Sequence, residues 1–300
     1  MENFRHWIGA MRLRTLPLAL SSILAGSSVA YDQSTQFVSI TLWAICTTLF
    51  LQILSNLAND YGDSHHGTDN EFRIGPVRSV QSGAISSKSM LRGIIICAIL
   101  SFISGFALIY TSFWGAGYYT QFFVFLGFGL LAITAAIRYT AGKNPYGYRG
   151  LGDLYVLAFF GILGVCGTFY VHTKMWEWSV VLLALTIGTF AAAVLNLNNM
   201  RDRENDRSSG KNTLVVRLGI QKAMNYHLML FAVGWGALIV YLILSHAMLT
   251  WIVLIFLPFH IIHLTKVFKH EEPKLLDPEL KKIALSTFGV GLILFFSACL

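Results

Sequence analysis

Nine apolar runs follow one another along the chain and constrain its fold more than any other feature. A helix needs about 20 apolar residues to cross the hydrocarbon core of a bilayer. Runs of that kind predict spanning helices at residues 16–31, 37–58, 89–112, 119–138, 151–172, 176–197, 223–245, 247–266 and 282–300. Only 12% of the residues are charged, about half the share in soluble domains. The sequence therefore predicts an all-α polytopic membrane protein, one bundle of about nine transmembrane helices that forms a single domain over residues 1–300.

The cationic residues predict the orientation of this bundle. All but one of the 22 lysines and arginines fall on one side if the nine runs span the membrane in turn, and the exception is Lys174. Because positive residues are retained on the cytoplasmic side, we expect a cytoplasmic N-terminus. The same pattern accounts for the net charge of +7 without nucleic acid as a partner. The expected location is the cytoplasmic (inner) membrane, with lipid as the surrounding partner.

A first acidic segment lies at the end of the second apolar run, where it contains Asn56, Asn59, Asp60 and Asp63. Side chains three positions apart on a helix are about 5–6 Å from each other, so Asp60 and Asp63 are spaced to share a divalent cation. Oxygen ligands of this kind favour Mg²⁺. The alternative interpretation is a solvated helix cap, since Asn and Asp are common at helix ends.

A second acidic segment lies in the same position relative to the sixth apolar run. Asp202 and Asp206 are four residues apart, again on one helical face. If the two segments face each other, their four carboxylates need cations to offset their charge. Alone, the segment also fits a charge-balanced loop, because Arg201, Arg203 and Arg207 alternate with the acids. The matched positions favour a Mg²⁺ site made of Asp60, Asp63, Asp202 and Asp206, all on the predicted cytoplasmic side.

The polar loop after the first acidic segment carries two arginines suited to bind phosphate, Arg73 and Arg78. Guanidinium groups donate forked hydrogen bonds to phosphate oxygens, and Gly75 and Gly83 allow close backbone approach. Each arginine alone also fits ordinary cytoplasmic positive charge. Together with the carboxylates they predict a diphosphate site, for which the candidate ligands are Asn56, Asn59, Arg14, Arg73, Arg78 and Lys211.

The two acidic segments read Asn59-Asp60-x-x-Asp63 and Asp202-x-x-x-Asp206-x-x-x-Gly210-Lys211-x-Thr213. They resemble the paired aspartate motifs of the UbiA superfamily of intramembrane prenyltransferases, and the resemblance spans nearly the whole chain. Further stretches are similar to the 1,4-dihydroxy-2-naphthoate polyprenyltransferases of that superfamily, at residues 14–17, 56–63, 67–69, 75–83, 139–142, 147–153 and 159–161. One departure is Gly67, where many superfamily members have a third aspartate, so we expect one metal ligand fewer there.

The resemblance implies Mg²⁺-dependent transfer of a polyprenyl group from polyprenyl diphosphate to 1,4-dihydroxy-2-naphthoate. The ring carboxylate would leave as CO₂, and the product would be demethylmenaquinone, an intermediate of menaquinone biosynthesis. The apolar, aromatic-rich helices would enclose the tail and keep water from the allylic carbocation.

The aromatic acceptor is expected at residues 139–153. Lys143 or Arg149 is a candidate to bind the naphthoate carboxylate, and Lys143 departs from the family pattern. Tyr139, Tyr146 and Tyr148 are candidates to bond the ring hydroxyls. Asp153 is a candidate general base for a ring proton, although it also fits a carboxylate stabilised by a helix N-terminus.

Three other functions are compatible with parts of this pattern. A related prenyltransferase would use 4-hydroxybenzoate, homogentisate or a lipid as its acceptor. A transporter would have charged residues near the bilayer centre, whereas the acids here lie at the ends of the apolar runs. A purely structural membrane protein would not need two acidic segments on one face.

Overall fold

The computed structural model describes residues 4–70, 74–245, 247–270 and 272–300, which fold as helices without strands. Within these ranges nine helices are long and apolar enough to cross a membrane. They are α1 (Phe4–Val29), α2 (Phe37–His65), α3 (Ser87–Trp114), α4 (Tyr119–Arg138), α5 (Gly152–Thr173), α6 (Trp178–Arg201), α7 (Ile220–Ser245), α8 (Met248–Lys269) and α9 (Pro273–Cys299). Each predicted run overlaps one of these helices, so the prediction of an all-helical membrane protein with about nine spans is confirmed.

The helices differ from the predicted runs mainly at their polar ends. Helix α2 continues about two turns beyond the apolar run, so the first acidic segment is helical. Helix α9 starts at Pro273 rather than at residue 282. Helix α1 reaches back to Phe4 through a break at Arg12, whose φ of 50° is left-handed. Hydropathy misses these extensions because it does not register helical turns made of polar residues.

Small residues bring α5 close to α1 and α6. A Cβ added to Gly161 would lie 2.6 Å from the carbonyl oxygen of Ala184 in α6. A Cβ added to Gly164 would lie 2.7 Å from the Cβ of Ser22 in α1. Such contacts are possible only without side chains and are common where membrane helices pack tightly. They hold α5 against α1 and α6, and further residues of α5 line a cavity.

The cavity has a volume of about 380 Å³ and is lined mainly by apolar side chains of α2, α3, α4 and α5. At one end it reaches Asn59 and Tyr139, close to the acidic residues. We call this the acidic end of the bundle and the opposite end the far end. Toward the far end the ring of Phe125 in α4 stacks on Tyr170 in α5, with centroids 5.5 Å apart and planes 6° apart.

The side of the cavity communicates with the outer surface of the bundle. Phe102 of α3 and Phe128 of α4 both line the cavity, and both are exposed on the protein surface. In a membrane that surface faces lipid tails. The bundle therefore contains an apolar channel with a polar acidic end and a lateral opening.

Candidate active site

The two acidic segments meet at the side chain of Lys211. Its ammonium nitrogen lies 3.5 Å from Asp63 Oδ1 and 3.9 Å from Asp206 Oδ1. Both carboxylates are buried. Asp63 belongs to the last turn of α2, and Asp206 to a short helix, Arg203–Ser208, that follows α6. The convergence expected from sequence is therefore present for one aspartate of each segment.

A tight turn places Lys211 at this point. Gly210 has a φ of +75°, a conformation that glycine adopts without a steric penalty. The turn reverses the chain after the helix Arg203–Ser208, and the backbone N–H of Lys211 donates to the carbonyl of Asp206 over 2.8 Å. The side chain of Lys211 is thereby directed back across the segment toward α2.

The charges at this site stabilise one another. Burial alone would lower the pKa of Lys211, but the charges of Asp63 and Asp206 raise it above its usual value. Burial and the negative charge of Asp63 raise the pKa of Tyr148. Its hydroxyl therefore stays protonated and donates to Asp63 Oδ1 over 2.8 Å. Tyr148 thus belongs to the carboxylate cluster, whereas the sequence suggested contact with an acceptor ring.

Asp60 anchors the arginine loop that follows α2. Its two carboxylate oxygens accept hydrogen bonds from the backbone N–H groups of Ser79 and Val80, each over 3.1 Å. The preceding residue, Arg78, places its Nε 3.7 Å from Asp69 Oδ2. The positive charges of Lys211 and Arg78 both attract the negative charge of the Asp63 carboxylate. Asp60 therefore fixes the segment that brings Arg78 to the carboxylates.

Asp202 is bound by the buried side chain of Arg201. The guanidinium donates to both carboxylate oxygens, over 2.9 and 2.7 Å. The same guanidinium also bonds Asp277 at the start of α9. Asp202 therefore lies in a second layer of charge beside the cluster around Lys211.

Four residues of the site were missed by sequence reasoning: Thr68, Asp69, Asn205 and Arg12. Asn205 Nδ2 donates to the carbonyl of Thr68 over 2.8 Å, which ties the first polar loop to the second acidic segment. The negative charge of Asp69 attracts Lys211, and the positive charge of Arg12 attracts Asp63. The signal for Asp69 was present, since Asp69 follows two residues after Gly67, where the family's third aspartate was expected.

The predicted diphosphate ligands fall into three groups. Lys211 and Arg78 lie at the carboxylate cluster. Asn56 and Asn59 line the acidic end of the cavity, where Asn56 also donates to the carbonyl of Met11 over 2.9 Å. Arg14 is more distant, half-exposed and 3.9 Å from Asp277. Arg73 lies outside the described residues.

The predicted acceptor residues are also divided. Tyr139 and Tyr146 line the cavity and contact each other edge to face, with centroids 5.3 Å apart. Tyr146 stacks in turn on Tyr155 of α5 at 3.9 Å. Burial raises the pKa of Tyr139 and Tyr146, so both hydroxyls stay protonated. Lys143 and Arg149 are exposed on the surface, because the loop between α4 and α5 turns them outward.

Asp153 lines a different pocket. It is buried in the first turn of α5 and shares a small pocket with Tyr226 of α7. Its Oδ1 atom is buried without a hydrogen-bond partner. The neighbouring residue, Gly152, lines the larger cavity instead. Successive positions on a helix point in different directions, so Asp153 is turned away from a substrate in the larger cavity.

The chemistry of the donor set fits Mg²⁺. The residues gathered around Lys211 offer carboxylate and amide oxygens, which hard cations prefer over sulfur or nitrogen. The side-chain oxygen of Asn205 is buried without a hydrogen-bond partner. Within the described ranges no group of three or more His, Cys, Asp or Glu side chains is close enough to form a metal site alone. This is compatible with Mg²⁺, which is commonly bound by one or two carboxylates together with substrate phosphates.

A family model described as UbiA prenyltransferase family matches residues 19–286. The chain belongs to this family. Two curated relatives, from Haemophilus influenzae and Escherichia coli, are named 1,4-dihydroxy-2-naphthoate octaprenyltransferase. The chain is 42% identical to the first, covering 97% of this chain and 95% of the relative. It is 41% identical to the second, covering 92% and 89%.

Solved structures of the UbiA family share this fold. A UbiA homologue from Archaeoglobus fulgidus, bound to GPP and Mg²⁺, superimposes with a TM-score of 0.60. The identity is 16%, and the match covers 95% of this chain and 99% of the homologue. At that identity the likeness concerns the fold, and the all-helical arrangement described above is that of the UbiA family.

Proposed function

We propose that this UbiA-family protein transfers a polyprenyl group from polyprenyl diphosphate to 1,4-dihydroxy-2-naphthoate, with loss of CO₂, in menaquinone biosynthesis. The observation that carries the proposal is the convergence of Asp63 and Asp206 on Lys211 beside an apolar cavity. Relatives at 41–42% identity that bear the name of this activity support the choice of acceptor.

In this proposal the diphosphate lies against Lys211 and Arg78, which carry the positive charge at the acidic end. Charge-assisted hydrogen bonds from these groups suit phosphate oxygens. Asp60, Asp63, Asp202 and Asp206 would hold Mg²⁺, with Asp63 and Asp206 nearest the shared centre. When bound, Mg²⁺ neutralises the charge that develops on the leaving diphosphate.

The prenyl tail occupies the cavity between α2, α3, α4 and α5. Its allylic carbon lies at the acidic end, where Lys211 and Arg78 stabilise the departing oxygen as the C–O bond breaks and the electron pair leaves with the diphosphate. The apolar and aromatic walls exclude water that would capture the carbocation. The lateral opening lets the remainder of a long tail extend into lipid.

The naphthoate ring lies against Tyr139, Tyr146 and Tyr155, which form a layer of aromatic rings at the acidic end. The ring carbon that carries the carboxylate forms the new C–C bond. The bond to the carboxylate then breaks, CO₂ departs, and its electron pair restores the aromatic ring. No ring proton is removed in this scheme, in keeping with the position of Asp153 outside the cavity lining. The product is the reduced form of demethylmenaquinone.

The location of this chemistry follows from the distribution of positive residues. The nine-span topology puts 21 of the 22 lysines and arginines on one side. The acidic end therefore lies on the cytoplasmic side of the inner membrane. An alkaline phosphatase fused after Leu300 would then be active outside the cytoplasm, because an odd number of spans places the two termini on opposite sides. If the fusion protein were intact in the membrane but the phosphatase inactive, the opposite orientation would be indicated.

The decisive experiment uses purified protein, Mg²⁺, octaprenyl diphosphate and a panel of aromatic acids. We expect 1,4-dihydroxy-2-naphthoate to yield CO₂ and a prenylated lipid in equal amounts. 4-Hydroxybenzoate and homogentisate test the related prenyltransferases. Prenylation of either of these, with no reaction of the naphthoate, would overturn the assignment of the acceptor.

A further inference from the structure

Arg201 has one of the largest fully buried side chains among the described residues, with only 1% of its surface exposed. It is the last residue of α6 and divides its hydrogen bonds between two carboxylates. Its Nε and one terminal nitrogen bond Asp202, and its other terminal nitrogen bonds Asp277 near the start of α9. Asn198, one turn earlier in α6, accepts a further bond over 2.9 Å.

This arrangement creates a competition for Asp202. Under the proposed function, on which this inference rests, Asp202 is one of the four carboxylates that hold Mg²⁺. Both of its oxygens are bonded to Arg201. A buried guanidinium that lost its only carboxylate would be strongly destabilised. With Arg201 paired to Asp202 alone, metal binding would therefore leave an uncompensated buried charge.

We propose that Asp277 is a positioning residue that keeps Arg201 charge-balanced, so that Asp202 is available to the magnesium–diphosphate complex. Asp277 stays bonded to the guanidinium when Asp202 is engaged elsewhere. Asp277 also lies 3.9 Å from Arg14 at the start of the long part of α1. That second cation links the part of α1 around Arg14 and the start of α9 to the second acidic segment.

The test measures metal binding directly, as well as turnover. Manganese serves as the paramagnetic probe, and its affinity in the presence of inorganic pyrophosphate is read by electron paramagnetic resonance. In Asp277→Asn we expect the dissociation constant for Mn²⁺ to rise about tenfold or more, the range seen for partners of metal ligands. At saturating metal kcat should stay close to that of the wild type, because Asp277 touches no reacting atom.

Two further variants distinguish charge balance from simple packing. The double variant Arg201→Gln/Asp277→Asn removes both charges, so metal affinity should return toward the wild-type value. Asp32→Asn makes the same change at an exposed acid of the far end and should leave affinity unchanged. The melting temperature of each variant reports any loss of folding.

The possible results separate this inference from the proposed function. Unchanged Mn²⁺ affinity in Asp277→Asn, with wild-type protein that binds the metal and turns over, would overturn the inference alone. A lower melting temperature without a change in affinity would reduce Asp277 to a packing contact. Wild-type protein that binds no Mn²⁺ with pyrophosphate would overturn both.

Discussion

The ammonium of Lys211 lies 3.5 Å from the carboxylate of Asp63, although 148 residues separate them in the sequence. This contact joins the loop after α6 to the end of α2. Because Asp206 lies on the same ammonium, any anion or cation that enters the site acts on both acidic segments together.

Neutralising either central carboxylate should strongly reduce turnover. Asp63→Asn and Asp206→Asn each keep the shape of the side chain but remove the charge that contacts Lys211 and that, in the proposed function, holds Mg²⁺. We expect kcat to fall about 100-fold or more, as for other groups that organise transition-state charge. Glu177→Gln, at the start of α6 on the far end, is the matched control. Activity within a few-fold of wild type in Asp63→Asn would remove Asp63 from the site.

Loss of Arg78 should weaken diphosphate binding in particular. Arg78→Ala removes charge-assisted hydrogen bonds, each worth about 1.5–3 kcal/mol. We therefore expect the KM for polyprenyl diphosphate to rise about 10- to 100-fold, with a smaller change in the KM for the naphthoate. Lys88→Ala, at an exposed position in the first turn of α3, is the control. An unchanged KM for the diphosphate in Arg78→Ala would contradict this role.

The contribution of Lys211 to stability should not vary with pH in the neutral range. Its pKa is raised above the usual value of 10.5, so the folded state binds the proton more tightly than the unfolded state. The stabilisation is fully present below the unfolded pKa and is lost only as pH rises through the folded one. The difference in melting temperature between wild type and Lys211→Met should stay constant between about pH 7 and pH 9. A steady decline over this interval would show that Lys211 loses its proton there.

Removing the charge of Asp153 should lower activity by less than the loss of a general base would. Asp153→Asn changes a side chain in the pocket beside Tyr226, away from the larger cavity. We expect kcat within about tenfold of wild type, less than the 10²–10⁴-fold effect of a general base. A naphthoate deuterated at the ring carbon next to the carboxylate gives an independent readout. Retention of deuterium in the product supports direct replacement of the carboxylate, and its loss would require a base.

The hydropathy of the chain was sufficient to predict its helices, because the bilayer requires apolar runs of defined length. It was also sufficient to place the two acidic segments at the same end of the bundle, since both follow apolar runs that end on the same side. It did not show that Asp63 and Asp206 alone would meet at Lys211. Hydropathy could not predict which carboxylate each arginine or lysine contacts. The backbone breaks at Arg12, and Arg14 lies near Asp277 while the charge of Arg12 acts on Asp63. Two arginines only two positions apart thus interact with different carboxylates, which composition does not predict.

The arginine and lysine of the acceptor loop show the same limit. Lys143 or Arg149 was a candidate to bind the naphthoate carboxylate, and both side chains are exposed. Tyr148, predicted beside them, is instead bonded to Asp63. The direction of a side chain in a loop depends on the backbone conformation, which here includes positive φ angles at Gly142 and Gly150. A periodic pattern of apolar and polar residues does not predict that direction. The role of Asp277 depends on contacts across the bundle and was likewise absent from local sequence.

The stacked rings of Phe125 and Tyr170 have a consequence for the range of substrates. Phe125 lines the cavity toward its far end and is held there by this stack, while the cavity opens laterally beside Phe102 and Phe128. In the proposed function the tail leaves through that opening, so only the isoprene units nearest the diphosphate would contact protein. Further units add length in the bilayer, where one tail resembles another. The enzyme should therefore accept donors of many sizes, and the length of the quinone side chain in the cell should be decided by whichever synthase supplies the donor.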